Sequence, residues 1–176
     1  MRELADAARI DSLLQALGRE TDSDTSAYLT GGATAVLVGW RPTTIDVDIL
    51  FEPESDRLLR AVARLKNELR VNVELASPGD FVPLPSGWRE RSVLVARHGG
   101  LSVFHFDPYA QALAKLERAH AKDLEDVRAL VGAGLVDPVV ALRLFDEIEP
   151  HLYRFPAVDA RGFRSRVEDE FGAAGA

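Results

Sequence analysis

The sequence contains no cysteine, only three lysines and no long apolar run. The absence of cysteine excludes disulfide bonds and thiolate zinc sites, and it is typical of a protein that works in a reducing compartment. No segment approaches the roughly 18 consecutive apolar residues of a transmembrane helix, and residues 1–6 lack the apolar centre of a signal peptide. We therefore expect a cytoplasmic protein with no membrane segment.

Two common nucleotide-binding fingerprints are also absent. The sequence has neither G-x-x-x-x-G-K-[ST] nor G-x-G-x-x-G, so it does not indicate a P-loop or a Rossmann dinucleotide site. The 176 residues carry a net charge of −7, which disfavours binding to nucleic acid through bulk electrostatics. Apolar residues make up 47% of the chain, which is ordinary for a folded protein of a length that can bury a core.

Helical and strand patterns alternate along the first 106 residues, whereas only helical patterns follow. Amphipathic helices are predicted by apolar spacing in 4–17 and 56–69. Strands are predicted in 27–30, 45–49, 70–75, 92–97 and 101–106. The segment 77–91 is rich in proline and glycine and predicts a long loop. We predict an α+β fold with a small mixed β-sheet core and flanking helices over 1–106, and a C-terminal helical subdomain over 107–176.

The most informative segment runs from Thr30 to Ile49. Gly31 and Gly32 form a turn ahead of a helix start, where exposed backbone N–H groups can hold phosphate. Asp46 and Asp48 lie two residues apart in a strand, so both side chains point to one face. The other face takes the apolar residues Ile45, Val47 and Ile49. Adjacent carboxylates repel each other unless a cation offsets their charge, and such oxygen ligands suit Mg²⁺. A phosphate-binding turn beside metal-binding carboxylates predicts phosphoryl or nucleotidyl transfer.

A third carboxylate has two candidates. Glu74 lies in the middle of the strand pattern 70–75, with Asn72 on the same face two residues earlier. Asp80 lies at the edge of the proline-rich loop. We favour Glu74 as the third metal ligand, and the alternative interpretation is that Glu74 is only the solvent-exposed side of an edge strand.

A second charged cluster lies far downstream. If one uninterrupted helix spans it, four charged side chains share an arc of about 80°: Lys115, Arg118, Lys122 and Asp126. Lys115 and Arg118 can then neutralise a triphosphate, and an aspartate can act as a base or hold Lys115 in place. The alternative is a surface helix whose salt bridges join residues three or four positions apart.

These motifs resemble the signature of the nucleotidyltransferase superfamily, which has the fold of DNA polymerase beta. The order G-G-x-A, R-P-x-T-x-D-x-D, then K-x-x-R and K-D-x-x-D is similar to its AbiEii/MenT-type branch of bacterial toxins and their relatives. The resemblance is fullest over 28–50 and 107–137. The chain departs from that branch by its short length, by Gly32 in place of a frequent serine, and by the short interval between Lys115 and Asp123.

The resemblance implies roles for individual residues. Catalytic residues would be Asp46, Asp48, Lys115 and Asp123, and the metal ligands would be Asp46, Asp48 and Glu74. Nucleotide-binding residues would be Gly31, Gly32, Thr44 and Arg118.

We therefore expect a Mg²⁺-dependent nucleotidyltransferase that moves an NMP from an NTP to an acceptor and releases pyrophosphate. The acceptor would be a tRNA, a protein hydroxyl or a small molecule, and a relationship to toxin–antitoxin systems would add an antitoxin protein as partner. The alternative is a catalytically inactive domain of the same fold that binds a nucleotide or a partner protein.

Overall fold

The structure is a computed structural model that describes residues 3–172. Two compact units make up these residues. The first comprises the chain up to Ser77 together with Ser92–Phe106, and the second comprises Pro78–Arg91 together with the chain from Asp107 onward. The two predicted domains, 1–106 and 107–176, include residues 1, 2 and 173–176, which lie outside the described part of the chain.

A mixed five-stranded sheet forms the centre of the first unit. Its strands are β1 (Thr25–Thr30), β2 (Asp46–Glu52), β3 (Asn72–Leu75), β4 (Val93–His98) and β5 (Leu101–His105). The spatial order is β3-β2-β1-β5-β4. The pairs β1–β2 and β4–β5 are antiparallel, whereas β1–β5 and β2–β3 are parallel. The predicted α+β fold with a small mixed sheet and flanking helices is therefore confirmed.

Three helices belong to the first unit: α1 (Ala7–Arg19), α2 (Gly32–Val38) and α3 (Asp56–Glu68). The side chains of Asp6 and Ser55 cap α1 and α3 by accepting hydrogen bonds from backbone amides in the first turn. Their apolar faces pack on the sheet residues that point to the same side, and together these side chains form the core of the unit. This packing buries one face of β2.

Strand β2 alternates as predicted between buried and partly exposed side chains. Val47 and Ile49 are fully buried in the core, while Asp46 and Asp48 point to the opposite, partly exposed face. Ile45 was expected to share the buried face, and this was wrong. It precedes the strand and is about half exposed.

The second unit is helical. Its helices are α4 (Trp88–Arg91), α5 (Pro108–Arg118), α6 (Ala121–Gly132), α7 (Pro138–Ile148) and α8 (Ala160–Phe171), with 3₁₀ helices at Pro78–Asp80 and Glu149–Arg154. Aspartate side chains cap three of them: Asp107 at α5, Asp137 at α7 and Asp159 at α8. No described helix is long and apolar enough to cross a membrane.

Two predictions for the second unit were wrong. Residues 77–91 are not simply a loop, because they contain a 3₁₀ helix and α4, which buries Trp88. The segment 115–126 is not one helix. Ala119 adopts a left-handed conformation with φ of 54°, so α5 ends at Arg118 and α6 begins after His120.

Candidate active site

The open face of β2 carries a row of polar side chains in the first unit. In the strand register, Asp46 is opposite Asn72, and Asp48 is opposite both Glu74 and Thr30. Residues opposite each other on neighbouring strands point to the same face. The two aspartates and Glu74 thus lie on one face of the sheet, where β1, β2 and β3 lie side by side.

Asn72 connects the carboxylates of this row. Its side-chain amide donates a hydrogen bond to Asp46 Oδ1 and a longer one, of 3.3 Å, to Glu74 Oε1. An amide donor between two carboxylates reduces their repulsion and fixes the orientation of Asp46. Asn72 was noticed in the sequence only as a neighbour of Glu74, and its contact with Asp46 follows from the β2–β3 register.

The carboxylates of β2 and β3 do not form a preformed metal cage. Within residues 3–172, no three histidine, cysteine, aspartate or glutamate side chains are grouped so that they could together hold a metal ion. Mg²⁺ does not require such a group, because proteins usually bind it through one or two carboxylates while substrate phosphates and water complete the octahedron. Asp46 and Asp48 fit that requirement, and Glu74 remains a prediction as a third ligand.

The glycine turn lies directly against the second aspartate. Gly31 has a φ of 61°, a conformation that glycine adopts without strain. A Cβ atom added to Gly31 would lie 2.9 Å from Asp48 Oδ2. A Cβ added to Gly32 would lie 2.0 Å from Thr44 Oγ1, so the turn can approach this closely only because both residues lack side chains.

Thr44 packs against the glycine turn at Gly32. Its side chain is buried, and its hydroxyl donates a hydrogen bond to the backbone oxygen of Asp46 at 2.9 Å. Its backbone pairs with Ala5 in a short antiparallel bridge. The hydroxyl of Thr44 thus bonds within the protein, and the nucleotide contact of this residue stays a prediction.

A buried histidine lies close to the start of α2. His105 Nδ1 is 3.2 Å from Thr34 Oγ1, and that hydroxyl lies 3.3 Å from the backbone oxygen of Leu29. Burial lowers the pKa of His105 to about 4, so its ring is neutral at neutral pH. Sequence reasoning missed this contact.

In the second unit, Lys115 is enclosed by carboxylates. Its ammonium lies 2.7 Å from Asp126 Oδ2 and 3.4 Å from Asp123 Oδ1, and its side chain is only 8% exposed. Arg118 Nη2 donates to the same Asp123 oxygen at 2.9 Å. The break after α5 lets the two helices pack against each other, and this brings the four charged groups together.

Charge balance within this cluster limits what it can offer a ligand. Two cations meet two carboxylates, so Lys115 already has its charge offset inside the protein. Arg118 is more accessible, with its guanidinium 5.2 Å from the centre of the exposed Phe81 ring. The predicted catalytic roles of Lys115 and Asp123 and the predicted nucleotide contact of Arg118 are untested.

Asp80 and Asp107 are two further carboxylates of the second unit. Asp80, the competing third metal ligand, is exposed in the 3₁₀ helix Pro78–Asp80. Asp107 is fully buried and accepts hydrogen bonds from Arg91 at 2.7 and 3.1 Å. Burial raises the pKa of Asp107, and the Arg91 guanidinium opposes that rise. Sequence reasoning missed this pair, although Asp107 directly before Pro108 is a recognisable helix cap.

Comparison with known proteins places these features in a family. No characterised protein and no solved structure matches the chain. A sequence profile of one family, described as "Nucleotidyltransferase of unknown function (DUF6036)", matches residues 6–167. The matched region contains the glycine turn, the aspartate pair and the Lys115 cluster. The chain therefore belongs to this nucleotidyltransferase family.

Proposed function

We propose that the protein transfers an NMP from an NTP to an acceptor in a Mg²⁺-dependent reaction. The observation that carries this proposal is the contact between the glycine turn and the aspartate pair, because Gly31 lies directly against the carboxylate of Asp48. A turn that can receive phosphate and carboxylates that can receive a cation are thus neighbours. A metal-bound polyphosphate needs both.

The reaction is a displacement at the α-phosphorus of the NTP. An acceptor oxygen forms a bond to that phosphorus while the bond to the bridging oxygen breaks, and pyrophosphate leaves with the electron pair. The acceptor proton passes to a base or to water. Mg²⁺ held by Asp46 and Asp48 would supply charge stabilisation for the transferring phosphoryl group.

The chain's own residues would orient the substrate. The backbone N–H groups of the turn at Gly31 and Gly32 would bind phosphate oxygens. Asn72 would hold Asp46 in a fixed orientation through its amide hydrogen bond. Glu74 is exposed and opposite Asp48, so a change of its rotamer would suffice to add a third carboxylate.

In the second unit we propose that Arg118 contributes to phosphate binding, since its guanidinium is partly accessible. Lys115 and Asp123 would then be essential either directly, as the family resemblance implies, or by holding Arg118. Asp123 contacts both cations and is the residue that links these two roles.

The acceptor and the biological setting belong to the same proposal. The resemblance to the AbiEii/MenT-type branch supports a tRNA or a protein hydroxyl as acceptor and an antitoxin protein as partner. Because the net charge is −7, the protein as a whole does not attract an anionic acceptor such as tRNA. An acceptor would therefore be bound by contacts close to the site.

Thermal unfolding with Mg²⁺ and each of the four NTPs tests the binding step. We expect one or more Mg²⁺–NTP pairs to stabilise the wild type, by about 2.7 kcal/mol when the ligand is at 100 times its Kd. Asp48→Asn should lose this stabilisation. Glu52→Gln is the matched control, because Glu52 shares the strand and the face but lies about 13 Å further along. Equal stabilisation of the wild type and Asp48→Asn would count against the proposal.

A second candidate function is a nucleotide-binding or partner-binding domain without turnover. The observation in its favour is that Lys115, expected to be catalytic, already has its charge offset by Asp126 and Asp123 within the protein. This candidate predicts Mg²⁺–NTP binding without release of pyrophosphate. Measuring pyrophosphate alongside binding distinguishes the two.

A further inference from the structure

The start of α2 is attached to the sheet by two buried polar side chains. Thr34 is 1% exposed and His105 is 9% exposed. The Thr34 hydroxyl lies between His105 Nδ1, at 3.2 Å, and the backbone oxygen of Leu29, at 3.3 Å. These contacts join the first turn of α2 to the ends of β1 and β5.

The Thr34 hydroxyl has one proton and can either donate it to the carbonyl oxygen of Leu29 or donate it to His105 Nδ1. In the first case His105 Nδ1 donates to the hydroxyl, and in the second it accepts, so the contact joins Thr34 to His105 in either tautomer. The Leu29 oxygen also accepts from the amide of Phe106 at 2.7 Å, so one carbonyl joins the helix and the strand end.

The helix needs such an attachment because it is short. Seven residues are too few for a helix to be stable in water by itself, so the position of α2 depends on tertiary contacts. The glycine turn immediately precedes it and fits between Asp48 and Thr44 with no space to spare. A small displacement of α2 would move the amides of the turn relative to the carboxylate pair.

We infer that His105 and Thr34 are positioning residues that hold the Gly31–Gly32 turn at its distance from Asp48. The pair acts through the backbone of α2 and does not contact the substrate. Its effect on transfer rests on the proposed function, whereas its effect on the turn does not.

The test uses two substitutions at each position. Thr34→Val removes the hydroxyl, and Thr34→Ser keeps it. His105→Leu removes the ring nitrogen, and His105→Asn keeps an amide that can donate or accept a hydrogen bond near the position of Nδ1. Thermal unfolding confirms that each variant is folded before the other measurements are made.

Amide hydrogen exchange measures how firmly the glycine turn and α2 are held, and it requires no assumption about enzymatic activity. Thr34→Val and His105→Leu should speed exchange in residues 31–38 while α1 stays unchanged, and the Ser and Asn variants should restore slow exchange. Unchanged exchange in residues 31–38 would overturn the inference.

Binding and kinetic measurements then test whether the position of the glycine turn affects ligand binding. Calorimetry with Mg²⁺ and inorganic tripolyphosphate should show weaker binding by Thr34→Val, and the KM for NTP should rise on the order of 10- to 100-fold with a smaller change in kcat. Rescue by Thr34→Ser is required. Faster exchange with unaltered tripolyphosphate binding would reduce the pair to a purely structural role and contradict the inference. If the wild type binds tripolyphosphate but transfers no NMP, the proposed function fails and the positioning claim stands on exchange and binding.

Discussion

The substitution Lys115→Met tests whether the ion pairs of Lys115 are buried or lie on the surface. The ammonium lies 2.7 Å from Asp126, whose side chain is 1% exposed, and 3.4 Å from Asp123. Methionine keeps the length and the apolar stem of lysine but removes the charge. Both carboxylates then lose the ammonium that offsets their charge in a buried environment.

The expected loss is large for one residue. Removing one partner of a buried ion pair destabilises a protein by about 3–5 kcal/mol. We expect the lower end, about 3 kcal/mol, because Arg118 still contacts Asp123. Arg128→Met is the control, since Arg128 lies on α6 with Asp126 and pairs with Glu170 of α8, but its side chain is 65% exposed. Solvent screens such an exposed pair, so its loss should change the free energy of unfolding little.

Urea unfolding measured by tryptophan fluorescence gives both values. The sequence has two tryptophans, and Trp88 is the one in the second unit. A Trp40→Phe background therefore reports on the unit that contains Lys115. The double variant Lys115→Met/Asp126→Leu should recover much of the loss, because two apolar side chains replace the pair. If Lys115→Met costs no more than Arg128→Met, the ammonium is not held in a buried pair, and our description of the cluster is wrong.

Three more outcomes follow from the structure. Gly32→Ala should destabilise by about 1–3 kcal/mol because the new Cβ meets a threonine hydroxyl at 2.0 Å, whereas Gly132→Ala, where the space is open, should be neutral or slightly stabilising in chemical denaturation. The pKa of His105 is about 4 in the folded protein and 6.5 for an exposed histidine, so the unfolded chain binds more protons than the folded protein between these pH values. The free energy of unfolding should therefore fall by up to about 3 kcal/mol as pH decreases from 6.5 to 4. The stability–pH curve of His105→Asn should lack this fall. Burial raises the pKa of Asp107, so its contribution to stability decreases as pH rises above 3.8, and Arg91→Met should steepen that decrease because the opposing cation is gone.

Local patterns predicted much of the first unit. The alternation in β2 placed both aspartates on one face, and the strands predicted in 92–97 and 101–106 correspond to β4 and β5, because the period of a strand acts over a few residues. The side of the sheet on which Glu74 lies also followed from its own strand, and the register opposite Asp48 then came from the β2–β3 pairing.

The second unit was harder to predict for identifiable reasons. Ala119 has a positive φ without being glycine, so no residue type indicated the helix break. The ion pairs of Lys115 depend on that break, since it lets α6 pack on α5 and bring Asp123 and Asp126 to the ammonium. The contact between Thr34 and His105 joins residues 71 positions apart through the parallel β1–β5 pairing, and no local pattern contains that information.

The central claim is that Asp46 and Asp48 support nucleotidyl transfer, and turnover measures it most directly. The protein is incubated with Mg²⁺, each α-labelled NTP and a total cell extract that supplies RNA and protein acceptors, and both labelled products and pyrophosphate are measured. We predict label transfer with at least one NTP by the wild type and by Glu52→Gln, and none by Asp46→Asn or Asp48→Asn, whose stability without ligand should be unchanged or higher because a repulsion is removed. Full transfer by either aspartate variant, or no transfer by the wild type with any NTP, would contradict the account.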